Sequence, residues 1–159
     1  MDWIALGKSL GLCLIAVVIE AVSATAEGRR WFESLNQPKR SLPFALWYWV
    51  GGIYYLICGT IAYRQFHDSV SAITLPIILL ALLMVCNGLS NFLLFKARSL
   101  PLFHMALYPF GILLVTLIIS LYTDDRLSAA LGSVYLIWLF YDVYYFASLQ
   151  RLNKNNPAK

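Results

Sequence analysis

Five apolar stretches, each long enough to cross a bilayer, leave this chain few ways to fold. They run near Ile4–Ala26, Phe44–Tyr63, Ser71–Phe95, Pro101–Tyr122 and Ser128–Gln150. A helix rises about 1.5 Å per residue, so roughly 20 residues span the hydrocarbon core. Backbone groups in hydrocarbon must pair within their own segment, which makes each stretch a helix. The expected fold is an all-α integral membrane protein, a single transmembrane domain over residues 1–159 built as a bundle of five helices. Connections are short except for residues 27–43, which follow the first span.

Composition supports this and excludes other classes. The chain is 60% hydrophobic and 13% charged, whereas a soluble domain carries about 25% charged residues. A disordered chain, a soluble enzyme and a secreted disulfide scaffold all fall away. Cys13, Cys58 and Cys86 lie inside apolar stretches without a CxxC pair, so they read as small core residues. His104 has no second His or Cys near it, and no HExxH, GxSxG, P-loop or dinucleotide fingerprint occurs. The sequence therefore argues for neither a metal site nor an enzyme, and no cofactor is required.

The lysines and arginines orient the spans. Arg29, Arg30, Lys39, Arg40, Lys96, Arg98, Arg151, Lys154 and Lys159 fall on one side, and only Lys8, Arg64 and Arg126 on the other, with Asp2, Asp68, Asp124 and Asp125. This positive-inside bias puts the N-terminus outside and the C-terminus, with the 27–43 loop, in the cytoplasm. The membrane is a cell membrane if the source is prokaryotic. Basic residues confined to span ends read as topology signals and lipid head-group contacts, not as a nucleic-acid surface. A competing reading takes Lys8, Leu10–Ile19 and Ser23–Ala26 as a cleavable signal peptide. Cleavage would leave the Arg29–Arg40 segment outside, against the charge bias.

Ionisable and strongly polar residues inside a span are costly, so each marks a functional hypothesis. Counted from the cytoplasmic ends, Glu20, Gly51, Gly52, Asn87, Tyr108, Pro109 and Asp142 all lie six to eight residues deep, or about 9–12 Å. Each span contributes to that layer. Two acids at one depth on different helices favour a water-accessible cavity over a structural pair. Asn87, Ser90 and Asn91 form a polar stripe that suits interhelical contact and ligand contact equally, and Gly51–Gly52 suits close helix packing. On the fifth span Tyr135, Trp138, Asp142 and Tyr145 share one face, a surface fit for a flat ring ligand. Aromatic packing or an interfacial belt explains Tyr144 and Tyr145 without a ligand. Val143-x-Tyr145-x5-Arg151 also fits a loose sterol-contact pattern.

The run Trp31-Phe32-Glu33-Ser34-Leu35-Asn36-Gln37-Pro38, followed by Pro43, Val50 and Tyr55, resembles the TspO/MBR family, the tryptophan-rich sensory proteins and mitochondrial translocator protein. The family pattern there is W-[YF]-x-x-L-x-x-P-x-W-x-P-P, then V-W-T-x-L-Y. Gly59, Asn87, Phe95, Tyr135, Leu136, Trp138 and Leu152–Asn153 match further family positions. The departures concentrate where the family lines its ligand cavity: Arg40 and Leu42 in the loop, Gly51-Gly52 for the Trp-Thr of V-W-T, Ser90 for a Trp, Val134 for a Pro, Asp142 for a small residue and Phe146 for an Asn.

The resemblance implies a five-helix bundle with a cavity under the first loop, often dimeric, that binds porphyrins, haem-related tetrapyrroles or sterols for transport, sensing or breakdown. It makes Phe32, Pro43, Trp47, Gly51, Tyr55, Asn87, Ser90, Trp138 and Asp142 the candidate ligand-binding residues. Glu20 and Asp142 would make the pocket acidic, which disfavours a dianionic porphyrin unless its propionates reach the loop arginines and lysines. A neutral sterol or a cation suits such a pocket better. The 27–43 loop becomes a lid held by Trp31, Pro38 and Pro43, and Gly7-x3-Gly11 a candidate dimer contact. Two rivals stand beside this reading. One is a small proton-coupled transporter with Glu20 and Asp142 as its relay; the other is a scaffold whose interior is closed around Asn87.

Overall fold

A computed structural model describes residues 2–39, 41–68 and 73–154. Arg40, Ser71 and Lys159, which figured in the loop, span and charge readings, lie outside them. Among the described residues five helices are long and apolar enough to span a membrane: α1 (Trp3–Ser23), α3 (Phe44–Asp68), α4 (Leu75–Asn91, continued by a π turn over Phe92–Lys96), α5 (Leu100–Tyr122) and α6 (Arg126–Leu152). A sixth, α2 (Ala26–Ser34), occupies the stretch expected to be loop.

Local sequence explains the boundaries. Asp2 caps α1 by accepting from the Ile4 and Ala5 amides. Thr25 accepts from the Gly28 amide, so α1 stops at Ser23 and α2 begins at Ala26. Ser99 and Asp125 cap α5 and α6 in the same way, and α4 and α5 carry proline in the first turn, where a missing N–H costs nothing.

The spans form a ring in the order α1, α4, α5, α6, α3, with α3 returning to α1. In lipid the hydrophobic effect does not draw helices together; close packing and interhelical hydrogen bonds do. Gly88 lets α4 approach α1, since a Cβ there would come within 2.6 Å of Ile19 Cγ2. Ser9 of α1 donates to the Gly59 carbonyl of α3 at 2.7 Å. The α5–α4 and α5–α6 faces are filled by Leu80, Leu83, Leu114, Leu117 and Leu121. The α3–α6 seam closes largely through rings, with Trp47 against Trp138 and Tyr54 against Tyr135.

At the end away from α2, Arg64 of α3 donates from Nε and Nη2 to both oxygens of Asp125, which caps α6. Ser128 adds a hydroxyl donor to the same carboxylate. The Arg64 guanidinium is the main reason the Asp125 carboxyl is held down to about 2.

At the opposite end α2 lies on the π turn. A Cβ on Gly28 would overlap the Phe95 carbonyl, and Thr25 Oγ1 donates to that carbonyl at 3.5 Å. The wider π turn, closed by Ala97 N–H to Phe92 O, supplies this carbonyl. Arg98, in the left-handed region at φ 51°, places its guanidinium 2.7 Å from Glu27 of α2. The strand of chain after α2 is tied to α6. Asn36 and Asn153 exchange two hydrogen bonds, and Tyr145 donates to Gln37 Oε1.

Candidate functional site

A cavity of about 420 Å³ opens between the spans at the α2 end. That is within the roughly 300–1,000 Å³ common for small-molecule sites. All five spans and α2 line it. Three regions differ in chemistry.

The polar region holds Glu20 of α1, Asn87, Ser90 and Asn91 of α4, and Asp142 of α6. Glu20 Oε2 accepts from the Tyr55 hydroxyl at 2.5 Å and from Asn87 Nδ2 at 3.3 Å. Asn87 therefore both bridges helices and lines the cavity, so its two sequence readings coexist. Ser90 spends its hydroxyl proton on the Cys86 carbonyl, one turn back. Asp142 is 8% exposed, and its Oδ1 has no hydrogen-bond partner among the described residues. The buried Tyr54 hydroxyl, also at the cavity wall, is unpartnered in the same sense. Both are conspicuous, because buried polar atoms are nearly always paired.

The aromatic region is built by Trp47 and Trp138, which meet edge to face at 5.6 Å, with Phe103 and Phe146 at 4.2 Å and Tyr135 against Phe110. Such pairs hold rings in fixed orientations. Gly51 lies in the α3 wall, and a Cβ added there meets nothing within 4 Å. Gly51 and Gly52 are thus not packing glycines: Gly51 leaves space in the cavity, and Gly52 is exposed on the lipid side. The tightest glycine contacts are at Gly28 and Gly88.

The mouth lies under α2. Phe32 is buried and packs on Phe95 and Phe146. Arg29 holds Glu33 through Nε and the Tyr48 hydroxyl through Nη1, with its guanidinium 5.8 Å from the Tyr48 ring centre.

Of the expected residues, Phe32, Trp47, Gly51, Asn87, Ser90, Trp138 and Asp142 line the cavity together with Glu20. Pro43 and Tyr55 do not. Pro43 is exposed before the first turn of α3. Tyr55 turns toward α1 and stands behind Glu20. Tyr108 and Pro109 have the right depth and the wrong face: both are exposed, while Leu107 and Phe110 point inward. Tyr144 is 66% exposed toward lipid, and Tyr145 packs on Trp47. Sequence reading missed Tyr54, Phe103, Leu107 and Phe110; all four fall on the inward faces of their helices.

Asn87 lines a void, so the closed interior that would have favoured a scaffold is not what the fold has. Among the described residues no three His, Cys, Asp or Glu side chains converge as metal ligands. No curated protein matches the chain in sequence. A family model described as TspO/MBR family matches residues 9–151, from the first turns of α1 almost to the end of α6. This chain belongs to the TspO/MBR family, as a multi-pass integral membrane protein with its interhelical cavity beneath α2.

Proposed function

We propose that this protein binds a flat hydrophobic ring ligand, of the tetrapyrrole or sterol kind, in the cavity under α2 and serves its transport or sensing. The observation that carries the reading is the enclosure of that cavity by rings from α3, α5 and α6, with Trp47 and Trp138 at its wall. Aromatic walls with a few polar groups are the usual make-up of a small-molecule site. Glu20 and Asp142 set which ligand is accepted, Phe32 closes the mouth, and no catalytic step is part of the proposal. The α2 end faces the cytoplasm in this reading, on the strength of the basic residues gathered there. A homodimer through the Gly7–Gly11 face of α1 belongs to it as well.

The test is quenching of tryptophan fluorescence in the purified protein by protoporphyrin, haem and a sterol analogue. Saturable quenching that weakens about tenfold in Trp138→Ala supports the reading. A Trp138→Ala protein with unchanged affinity for every ligand that binds would sink it.

One observation favours a second reading. Glu20 and Asp142, on α1 and α6, line the same cavity, as a proton relay requires. Proton-coupled flux into liposomes that disappears in Asp142→Asn would select it, and flux indifferent to that change would remove it.

A further inference from the structure

Two features of the cavity remain unused by a neutral ring: the unpartnered Oδ1 of Asp142 and the unpartnered hydroxyl of Tyr54. Both lie at the wall of one void, and both can accept a hydrogen bond. Asp142 is more than nine-tenths buried, and no cation is bonded to it among the described residues. An ionised carboxylate in such a place is costly unless a proton or a positive group joins it, and a bound cation favours the ionised form. We propose that the ligand of this cavity is a ring compound bearing a protonated amine, whose ammonium group is received by Asp142. This rests on the ring-binding reading above and adds the sign of the ligand's charge.

The surroundings agree with a cation at several points. Glu20 is a second acid on the same lining, already held by two donors and so fixed in place. Trp47 and Trp138 bring indole rings to the wall, and indole is the side chain that best attracts a cation placed over its face. An ammonium has three donors and no acceptor, which matches acceptors on Asp142 and Tyr54. The positive group on the lining, Arg29, belongs to α2 at the mouth, where Glu33 lies 2.9 Å from its Nε. The cavity is therefore acidic inside and basic only at its rim. An anionic ring would find its counter-charge at the rim, and a cationic ring would find it inside.

Three pyrene probes with one ring system and different charge separate these cases: 1-pyrenemethylammonium, 1-pyrenemethanol and 1-pyrenecarboxylate. Each is titrated at neutral pH against the whole protein in an uncharged maltoside detergent, read by energy transfer from tryptophan to pyrene. The expected order is ammonium tightest by about tenfold or more, then alcohol, then carboxylate. In Asp142→Asn the ratio of ammonium to alcohol affinity falls to about one, and an unchanged helical circular-dichroism spectrum and gel-filtration peak show that the variant is folded. Should Asp142→Asn lose all probes through misfolding, the wild-type order alone decides. Alcohol equal to ammonium, or carboxylate tightest, overturns the charge preference while leaving a ring-binding cavity. Saturation by none of the three overturns the ring-binding reading and this inference with it.

Discussion

Tyr55 on α3 and Glu20 on α1 share a 2.5 Å hydrogen bond, phenol to carboxylate, which fixes the acid of the first helix from behind the cavity wall. Asn87 is the second donor to the same oxygen. Removing the phenol leaves the carboxylate with one neutral donor. Tyr55→Phe should lower stability by about 1–2 kcal/mol, seen as a lower unfolding temperature in detergent. A double-mutant cycle with Glu20→Gln should return a coupling energy well above zero. Strict additivity of the two changes would contradict the geometry.

Two glycines should respond in opposite directions. A methyl group at Gly51 meets open space, so Gly51→Ala should leave stability unchanged or raise it by about 0.5–1 kcal/mol through helix propensity. A methyl group at Gly88 meets Ile19 at 2.6 Å, so Gly88→Ala should cost about 1–3 kcal/mol. Gly51→Trp, in turn, should narrow the cavity and weaken ring binding. Thermal unfolding of the two alanine variants side by side checks the pair. A reversed order would contradict the close approach of α4 to α1 at Gly88.

The Arg64–Asp125 pair predicts a pH dependence with a definite sign. The folded Asp125 carboxyl sits near 2, below its ordinary value of 3.8. The pair therefore contributes in full above about pH 4 and is lost as pH falls toward 2. Its contribution is on the order of 2 kcal/mol, given a side chain only 2% exposed. Asp125→Asn should lower stability at neutral pH and flatten the acid limb between pH 4 and 2. An acid limb identical in wild type and variant would argue against the pairing.

Asn153 and Asn36 hold the chain after α2 against the end of α6 by two hydrogen bonds. Asn153→Ala removes both and should cost about 1–2 kcal/mol. Hydrogen exchange at the Asn36 amide should accelerate while the centre of α5 stays protected. Ligand association and dissociation should both quicken if this segment gates the mouth. Unchanged exchange at Asn36 would show that the tie is dispensable.

The spans and their depth were legible because apolar length and charge placement are one-dimensional signals. Counting inward from the basic end put Glu20, Gly51, Asn87 and Asp142 at one level, and they do share one cavity. Depth alone carries no azimuth, however. On α5 each residue turns the face by about 100°, so Tyr108 and Pro109 point to lipid while Leu107 and Phe110 line the void. Apolar residues on every face of a lipid-embedded helix erase the pattern that would have separated the two pairs. Helix α2 was hidden for a different reason. Its nine residues, AEGRRWFES, are short and charged, and its signals are the cap at Thr25 and Glu27 in the first turn. The emptiness at Gly51 had no signal at all, since a missing side chain reads the same whether it admits a neighbour or leaves a void.

One face of α6 touches both the interior and its cover. Trp138 and Asp142 line the cavity, and within the next turns Tyr145 and Asn153 hold Gln37 and Asn36. Occupancy and cover are thus two loads on a single rod. Thermodynamic reciprocity then applies: whatever factor a bound ligand changes the closing equilibrium by, closing changes the ligand's affinity by the same factor. A guest that tilts α6 would report its arrival at the rim under α2 without any further moving part, and a partner grasping that rim would tighten or loosen the grip on the guest.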